Sequence, residues 1–148
     1  GWLMEHFQDE IDALGLGSHV HLTGYVSDEE LIWLYRNCFA NLYPSFFEGF
    51  GLPVLEAMQW GAPTLASNAT SIPEVLGGAG PLIVPSDTEG WANAMLALQS
   101  DPIRRNEMRQ AGIDRVSAFQ WEESTKALLN LYEEAIQSPK REGSLGVE

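Results

Sequence analysis

The chain has 148 residues, of which 45% are apolar, and a formal net charge of −13. Arg36 is the only basic residue among residues 1–103, whereas binding to nucleic-acid phosphates or to an anionic membrane surface needs a basic footprint. We therefore expect no nucleic-acid partner and no direct membrane contact from this part of the protein, which is long enough for one domain with its own core.

The first part of the chain predicts a helix, a short strand and a second helix. Apolar residues recur at helical spacing through residues 1–14, and Gly15 ends this helix. The alternation from Val20 to Thr23 predicts a strand. Ser27 and Glu30, three positions apart, form a capping box that begins the second helix.

Residues 39–61 follow the order strand, loop and helix. The run F-A-N-L-Y, residues 39–43, predicts a strand that stops at Pro44. Pro53 occupies a position that the first turn of a helix tolerates, and Gly61 is placed to cap that helix at its far end. The loop between the strand and the helix carries Glu48, Gly49 and Gly51.

This loop has the chemistry of an anion and sugar site. The first N–H groups of a helix are unpaired and its dipole favours negative charge, so phosphate is a natural ligand there. Glycines let a ligand approach the backbone closely, and the carboxylates of Glu48 and Glu56 accept hydrogen bonds from hydroxyl groups. Because Pro53 has no N–H, the expected donors are the amides of Phe50, Gly51, Leu52 and Val54.

A second interpretation of the same loop stays open on residue chemistry alone. Any tight turn between a strand and a helix uses glycines and a proline. The helix dipole by itself favours glutamates near a helix start.

The rest of the chain continues to alternate. Strands are predicted at Pro63–Ser67 and Pro81–Val84, the second of them buried, with a short helix between them that ends at Gly77 and Gly78. Three more helices follow, at about residues 87–99, 101–118 and 121–136. This order predicts an α/β fold, a Rossmann-like parallel sheet with helices on both faces, in which ligands bind beyond the carboxyl ends of the strands.

Three segments carry a resemblance to a known family: E-G-F-G-L-P-V-L-E-A-M from residue 48, G-A-P-T-L-A-S-N from residue 61 and I-P-E-V from residue 72. Together they closely resemble the retaining, nucleotide-sugar-dependent glycosyltransferases called group 1 or family four, whose signature is Glu-x7-Glu. The segments G-Y-V-S-D-E-E-L, Y-P-S, P-S-D and F-Q-W extend the resemblance over nearly the whole chain, in the same order.

The resemblance implies an incomplete second domain of the GT-B fold. Residues 1–137 are expected to form the donor-binding domain, without the strand, helix and strand that precede the point matching Gly1 in the family, and residues 138–148 a loose tail. We expect Val20–Thr23 to lack a sheet neighbour while the three later strands pair. The last helix, which crosses to the absent first domain in the family, should expose an apolar stripe.

The implied function is transfer of a hexose from a nucleotide-diphosphate-sugar donor to a glycan or lipid-linked acceptor, with retention of configuration. Glu48 is expected to be the catalytic-site glutamate at the transferred sugar, and Glu56 to bind the ribose. The remaining expected contacts are the backbone of Gly49, Phe50, Gly51 and Leu52 at the sugar and diphosphate, and Gly24, Tyr25 and Val26 near the nucleobase. No metal and no cofactor other than the donor substrate is expected.

The acceptor is expected to bind through the missing N-terminal domain, so this chain alone should be inactive. The expected location is the cytoplasm, at the inner membrane surface through that missing domain. Gln120 stands where the family commonly has a helix-capping serine, and Trp60 where it has a small residue. Two alternatives remain: a non-catalytic nucleotide-sugar-binding module, and a sugar-nucleotide epimerase of the same architecture. The intact loop from Glu48 to Gly51 favours the transferase.

Overall fold

The structure, a computed structural model, describes residues 2–138, which divide into two compact units after Trp33. This part of the chain contains seven helices and three strands. In chain order they are α1 (Trp2–Ala13), α2 (Asp28–Asn37), β1 (Asn41–Tyr43), α3 (Leu52–Gln59), β2 (Thr64–Ser67), α4 (Ile72–Leu76), β3 (Leu82–Ile83), α5 (Thr88–Ser100), α6 (Pro102–Val116) and α7 (Trp121–Gln137). The predicted tail, residues 138–148, lies outside the described residues except for Ser138.

The first unit holds α1 and the start of α2. Gly15 adopts φ 67° after α1, and the N–H of Leu16 donates to the carbonyl of Ile11 at 2.9 Å, which confirms the predicted helix end. The capping box is also present. Glu30 Oε2 accepts from the N–H and the hydroxyl of Ser27, at 2.8 and 2.9 Å, and the N–H of Glu30 donates back to the Ser27 hydroxyl at 3.3 Å. These hydrogen bonds lower the pKa of Glu30.

The predicted strand at Val20–Thr23 is wrong, because these residues form no strand. A strand exists only through its pairing, and the strands found among the described residues pair only with one another. The segment has no sheet neighbour, as expected, and because it pairs with no strand of the described part it does not form a strand.

The second unit is built on a parallel sheet in the order β1-β2-β3. Leu42 lies opposite Leu65, and Ser67 lies opposite Ile83. The three later strands therefore pair as expected, although each is shorter than predicted. β3 also differs from its prediction as a buried strand, because only Leu82 and Ile83 pair and the side chain of Leu82 is 38% exposed. β3 is an edge strand with a neighbour on one side only.

Adjacent residues of β2 point to opposite faces of the sheet, and each face is covered by helices. Ala66 belongs to one buried cluster and Leu65 to another. The Ala66 cluster draws on α3 and α4: Val54, Met58, Ile72, Val75 and Leu76. The Leu65 cluster draws on β3, α5 and α6: Ile83, Trp91, Leu98 and Met108. The predicted α/β sheet with helices on both faces is confirmed.

The last three helices begin close to their predicted starts. Asp87 caps α5 by accepting from the N–H of Gly90, and Asp101 caps α6 by accepting from the N–H of Arg104, both at 2.9 Å. Gln120 precedes α7 and makes no side-chain cap. No residue of α7 is buried, and Trp121 and Ile136 are 80% and 84% exposed, so the predicted uncovered apolar stripe is present. Within residues 2–138 no helix has the combination of length and apolarity that a membrane crossing requires.

Candidate functional site

The loop that joins β1 to α3, residues 44–51, lies at the carboxyl end of the sheet. Gly51 is the N-cap residue of α3 and adopts the left-handed conformation at φ 101°. Pro53 lies in the first turn of α3, where the missing N–H leaves no acceptor unpaired. The predicted order of strand, glycine loop and helix is confirmed, and it brings the loop to the edge where parallel sheets bind ligands.

Two hydroxyl groups hold the side chain of Glu48. The hydroxyl of Tyr43 donates to Glu48 Oε1 at 2.6 Å, and the hydroxyl of Ser45 donates to the same oxygen at 2.8 Å. Among the described residues, none donates to Oε2. The carboxylate is thus fixed through one oxygen and presents the other.

The segment after β2, residues 67–71, holds the backbone of the same loop. The N–H of Glu48 donates to Thr70 Oγ1 at 3.0 Å. The hydroxyl of Ser71 reaches the carbonyls of Glu48, at 3.2 Å, and Phe50, at 2.8 Å. Thr70 adopts φ 47°, and no other non-glycine residue in the described part has a positive φ. Such a conformation persists only where its surroundings hold it, and here the contact with Glu48 helps to do so.

Tyr43 connects the two glutamates electrostatically. Burial and the hydrogen bond to Glu48, together with the negative charges of Glu48 and Glu56, raise the pKa of Tyr43 to about 12. The hydrogen bonds from Tyr43 and Ser45 lower the pKa of Glu48. Burial, followed by the charge of Glu56, raises the pKa of Tyr35. The negative charges of both predicted glutamates therefore act on the same phenol.

Several N–H groups at the start of α3 and in the loop before it are unpaired within the described part of the chain. Those of Gly49, Phe50, Gly51 and Leu52 have no acceptor among the described residues. The N–H of Val54 instead donates to the carbonyl of Gly51 at 3.0 Å, so the expectation that Val54 is a donor to a ligand is wrong. Gly51 itself is buried, whereas Gly49 is exposed and an added Cβ there would meet no atom within 4 Å.

Glu56 is exposed on α3, and its side-chain carboxylate accepts no hydrogen bond from any described residue. It lies at a cavity of about 880 Å³ between the first turns of α3 and the turn that joins α6 to α7. The apolar walls of this cavity are Phe50, Leu52, Leu55, Val116, Phe119 and Trp121. A ligand hydroxyl would therefore meet the carboxylate beside an apolar wall.

The predicted nucleobase residues belong to the first unit. Gly24 adopts φ 63°, Tyr25 is 95% exposed and Val26 is half-buried. Within residues 2–138 no cluster of three or more histidine, cysteine or acidic side chains could hold a metal ion.

Comparison with known proteins identifies the chain. Residues 4–115 match the family described as glycosyl transferases group 1. The chain belongs to this family. Its predicted assignment to the glycosyltransferases is thereby confirmed.

Two curated relatives of this group 1 chain are mannosyltransferases. The O-antigen chain mannosyltransferase B of Escherichia coli is 41% identical over 113 residues, which are 76% of this chain and 30% of that protein. The MMP alpha-(1->4)-mannosyltransferase of Mycolicibacterium hassiacum is 35% identical over 130 residues, which are 85% of this chain and 32% of that protein. The group 1 chain therefore spans less than a third of the length of either relative.

Two solved structures confirm the fold of this group 1 chain. Sucrose-phosphate synthase from Thermosynechococcus elongatus superposes with a TM-score of 0.83 at 28% identity, over 92% of this chain and 35% of that one. The C-terminal domain of a glycosyl transferase group 1 family protein from Francisella tularensis superposes with a TM-score of 0.69 at 28% identity, over 79% of this chain and 62% of that one. The predicted resemblance to the second domain of the GT-B fold is thus confirmed.

Sequence reasoning on this group 1 chain predicted both glutamates as site residues, which stays a prediction, but missed the residues that hold the loop. Thr70 and Ser71 lie on the segment after β2, and the signal that could have found them is the rule that adjacent parallel strands end at one edge. Phe119 was also missed as a site residue. Its ring packs edge-to-face against that of Phe50, with centroids 5.9 Å apart. The guanidinium of Arg115 also lies over the Phe119 ring, 4.7 Å from its centre.

Proposed function

We propose that this chain is the donor-binding part of a retaining glycosyltransferase. The complete protein transfers a hexose from a nucleotide-diphosphate-sugar to a glycan or lipid-linked acceptor, and the acceptor binds through a further domain. This chain alone is inactive, and it works in the cytoplasm. The reaction needs no metal and no cofactor besides the donor.

The observation that carries this proposal is the way Glu48 is presented. Its Oε1 is held by Tyr43 and Ser45, while Oε2 and the N–H groups of Gly49, Phe50, Gly51 and Leu52 in the same loop have no partner among the described residues. A carboxylate held in this way suits a sugar hydroxyl, and unpaired N–H groups at a helix start suit a diphosphate. Glu56, one turn into α3, accepts from the ribose hydroxyls.

In this proposal the backbone of Gly49, Phe50, Gly51 and Leu52 meets the sugar and the diphosphate. Gly24, Tyr25 and Val26 lie at the nucleobase, an assignment that rests on the family resemblance. No basic side chain lies among residues 37–103, so neutralisation of the diphosphate falls to backbone N–H groups and to residues outside this chain.

The names of the curated relatives favour mannose as the transferred hexose. The first test is therefore made on the complete gene product, with mannose donors carrying guanosine or uridine diphosphate and glucose donors as alternatives. Proton NMR of the product gives its anomeric configuration, and an assay with chelator tests the need for metal. We expect retention and no loss of rate with chelator.

The two glutamates should give different kinetic defects. Glu48→Ala removes a contact to the sugar that matters most as the ring distorts, so kcat should fall strongly. Glu56→Ala removes ribose hydrogen bonds that are present before and during the reaction, so donor KM should rise. The expected loss of donor-binding free energy is about 1.5–3 kcal/mol. Glu89→Ala, an exposed glutamate on α5, is the matched control and should change neither.

The alternatives predict other results of the same assay. Donor binding without transfer to any acceptor would indicate a non-catalytic module, and conversion of the donor sugar into its epimer would indicate an epimerase. Full kcat in Glu48→Ala together with an unchanged donor KM in Glu56→Ala would show that the roles are wrongly assigned.

A further inference from the structure

The carboxylate of Glu48 is held at one oxygen only. Tyr43 and Ser45 both donate to Oε1, at 2.6 and 2.8 Å, although either hydroxyl alone would satisfy an acceptor there. Tyr43 is half-buried at the end of β1, so its ring is anchored by the sheet, whereas Ser45 lies in the loop. The hydrogen bond from Tyr43 thus ties a loop side chain to a rigid element.

The backbone of Glu48 is fixed independently of its side chain. Thr70 Oγ1 accepts from its N–H at 3.0 Å and the Ser71 hydroxyl donates to its carbonyl at 3.2 Å. With the backbone held on both sides, the remaining freedom of Glu48 lies in its side-chain torsions. Tyr43 and Ser45 are the groups that restrict those torsions.

We propose that Tyr43 is a positioning residue for Glu48, which it orients with the help of Ser45 so that Oε2 alone faces the donor sugar. The inference rests on the proposed function and assigns a role to residues outside the Glu-x7-Glu signature. A carboxylate that rotated freely would present either oxygen in several directions, and misplacement of about 1 Å is enough to cost about a hundredfold in rate. Orientation by a residue on a strand gives the geometry that a loop alone does not.

The titratable groups around this carboxylate set the expected pH behaviour. The phenol of Tyr43, on β1, faces Glu48. The carboxylate of Glu56 on α3 and the phenol of Tyr35 on α2 both raise the pKa of Tyr43 electrostatically. The contacts from the segment after β2 are neutral hydroxyls. Removal of the Tyr43 hydroxyl should therefore raise the pKa of Glu48, because one of the two hydrogen bonds that lower it is lost.

The test compares Tyr43→Phe with the matched control Tyr132→Phe in the complete gene product. Tyr132 is an exposed tyrosine on α7 and is not among the residues that line the cavity at Glu56. We expect Tyr43→Phe to lower kcat about tenfold or more, from the loss of one hydrogen bond to a charged group, with donor KM changed less than about twofold. The acid limb of the kcat/KM profile should move to higher pH in Tyr43→Phe and stay in place in Tyr132→Phe. A merely structural tyrosine would leave that limb where it is.

Ser45→Ala should show the same pattern more weakly, and it serves as the second variant if Tyr43→Phe does not fold. Unchanged kcat and an unchanged acid limb in both variants would overturn the proposal. If the wild-type product turns over no donor, the proposed function fails, and carbon-13 NMR of the glutamate carboxylates then decides the positioning separately. Assigned through Glu48→Gln, the pKa of Glu48 should rise in Tyr43→Phe; an unchanged pKa would overturn the positioning of Glu48 by Tyr43.

Discussion

Gly49 and Gly51 lie two positions apart in the loop and differ in what their lack of a side chain provides. Gly49 has an ordinary backbone conformation, and a Cβ added there would meet no protein atom within 4 Å. Gly51 has φ 101°, which L-residues with a side chain rarely adopt. The first glycine leaves space in front of the loop, and the second is required to start α3.

Substitution of each glycine by alanine should separate these two roles. Gly49→Ala should change the free energy of unfolding by no more than about 0.5 kcal/mol yet weaken donor binding, because its methyl group fills the space the ligand needs. Gly51→Ala should cost about 1–2 kcal/mol of stability. Urea denaturation and calorimetric titration with the nucleotide-sugar measure the two effects. Wild-type affinity in Gly49→Ala would argue against a ligand at this position.

The burial of Tyr43 and its hydrogen bond with Glu48 should make stability depend on pH at both extremes. Because the pKa of Tyr43 is raised to about 12 from an ordinary 10.0, its contribution is complete below pH 10 and is lost as the pH rises towards 12. Because the pKa of Glu48 lies below its ordinary 4.5, its contribution is complete above that pH and is lost as the pH falls through the lowered value. Urea denaturation of the wild type and of Tyr43→Phe at pH 9 and pH 11 measures the contribution of Tyr43 to the free energy of unfolding at alkaline pH. The stability difference between the two proteins should shrink at pH 11; a constant difference would contradict the assignment.

At the scale of the elements, β3 is short and approaches β2 very closely where it begins. A Cβ added at Gly80, just before β3, would lie only 2.0 Å from the carbonyl oxygen of Thr64. Because this neighbour is backbone rather than a flexible side chain, the two strands would have to separate. Gly80 is thus a packing requirement of the sheet, not a feature of a turn.

Gly80→Ala should therefore destabilise the protein by about 2–3 kcal/mol, as overpacking of a close contact does. The loss should appear first in β2 and at the residue after it, where the N–H of Ala66 donates to the carbonyl of Pro81 and the N–H of Asn68 to that of Ile83. Hydrogen exchange of these two amides should accelerate, while that of Leu31, bonded to Ser27 in the first unit, should not. Gly49→Ala is the matched control, and equal stability of the two variants would contradict this account of the sheet.

The sequence predicted the helices better than the strands, for a physical reason. Helix ends depend on local groups, so Ser27 and Glu30 predicted the capping box that begins α2. A strand depends on a partner that is distant in sequence. The segment Val20–Thr23 has the alternation of a strand but forms none, and β3 pairs over two residues rather than the four predicted.

The site was predictable to the same extent and for the same reason. The sequence motif predicted Glu48, Glu56 and the glycine loop because they lie close together in the chain. Thr70 and Ser71 reach the loop only because β1 and β2 are neighbours, and nothing local to these residues indicates that contact. The role of Tyr43 likewise depends on where the loop places the Glu48 carboxylate.

At the scale of the whole molecule, the apolar residues of α7 should govern behaviour in solution. Trp121, Leu129 and Ile136 are all more than half exposed, and the described part contains nothing that covers them. An apolar stripe of this kind favours association. We expect light scattering of this chain to show species larger than a monomer as concentration rises.

Replacement of Leu129 and Ile136 by glutamine should reverse that association, because it removes apolar surface without changing the charge. Asn130→Gln, an exposed polar change on the same helix, should leave the association as it was. If the unmodified chain is monomeric at all concentrations, the apolar stripe of α7 does not cause association.

The uneven distribution of basic residues has a further consequence, for proteolysis. Between Arg36 and Arg104 there is no lysine or arginine, so trypsin releases residues 37–104 as one peptide that contains all three strands and both glutamates. A protease specific for glutamate behaves differently, because its cleavage sites in that peptide include Glu48, in the loop itself, and Glu56. Trypsin therefore does not cleave the peptide bonds after Glu48 and Glu56, whereas the glutamate-specific protease cleaves both. A bound ligand would protect these two bonds from the second protease. Slower cleavage after Glu48 in the presence of a nucleotide-sugar would thus report occupancy of the loop without any measurement of turnover.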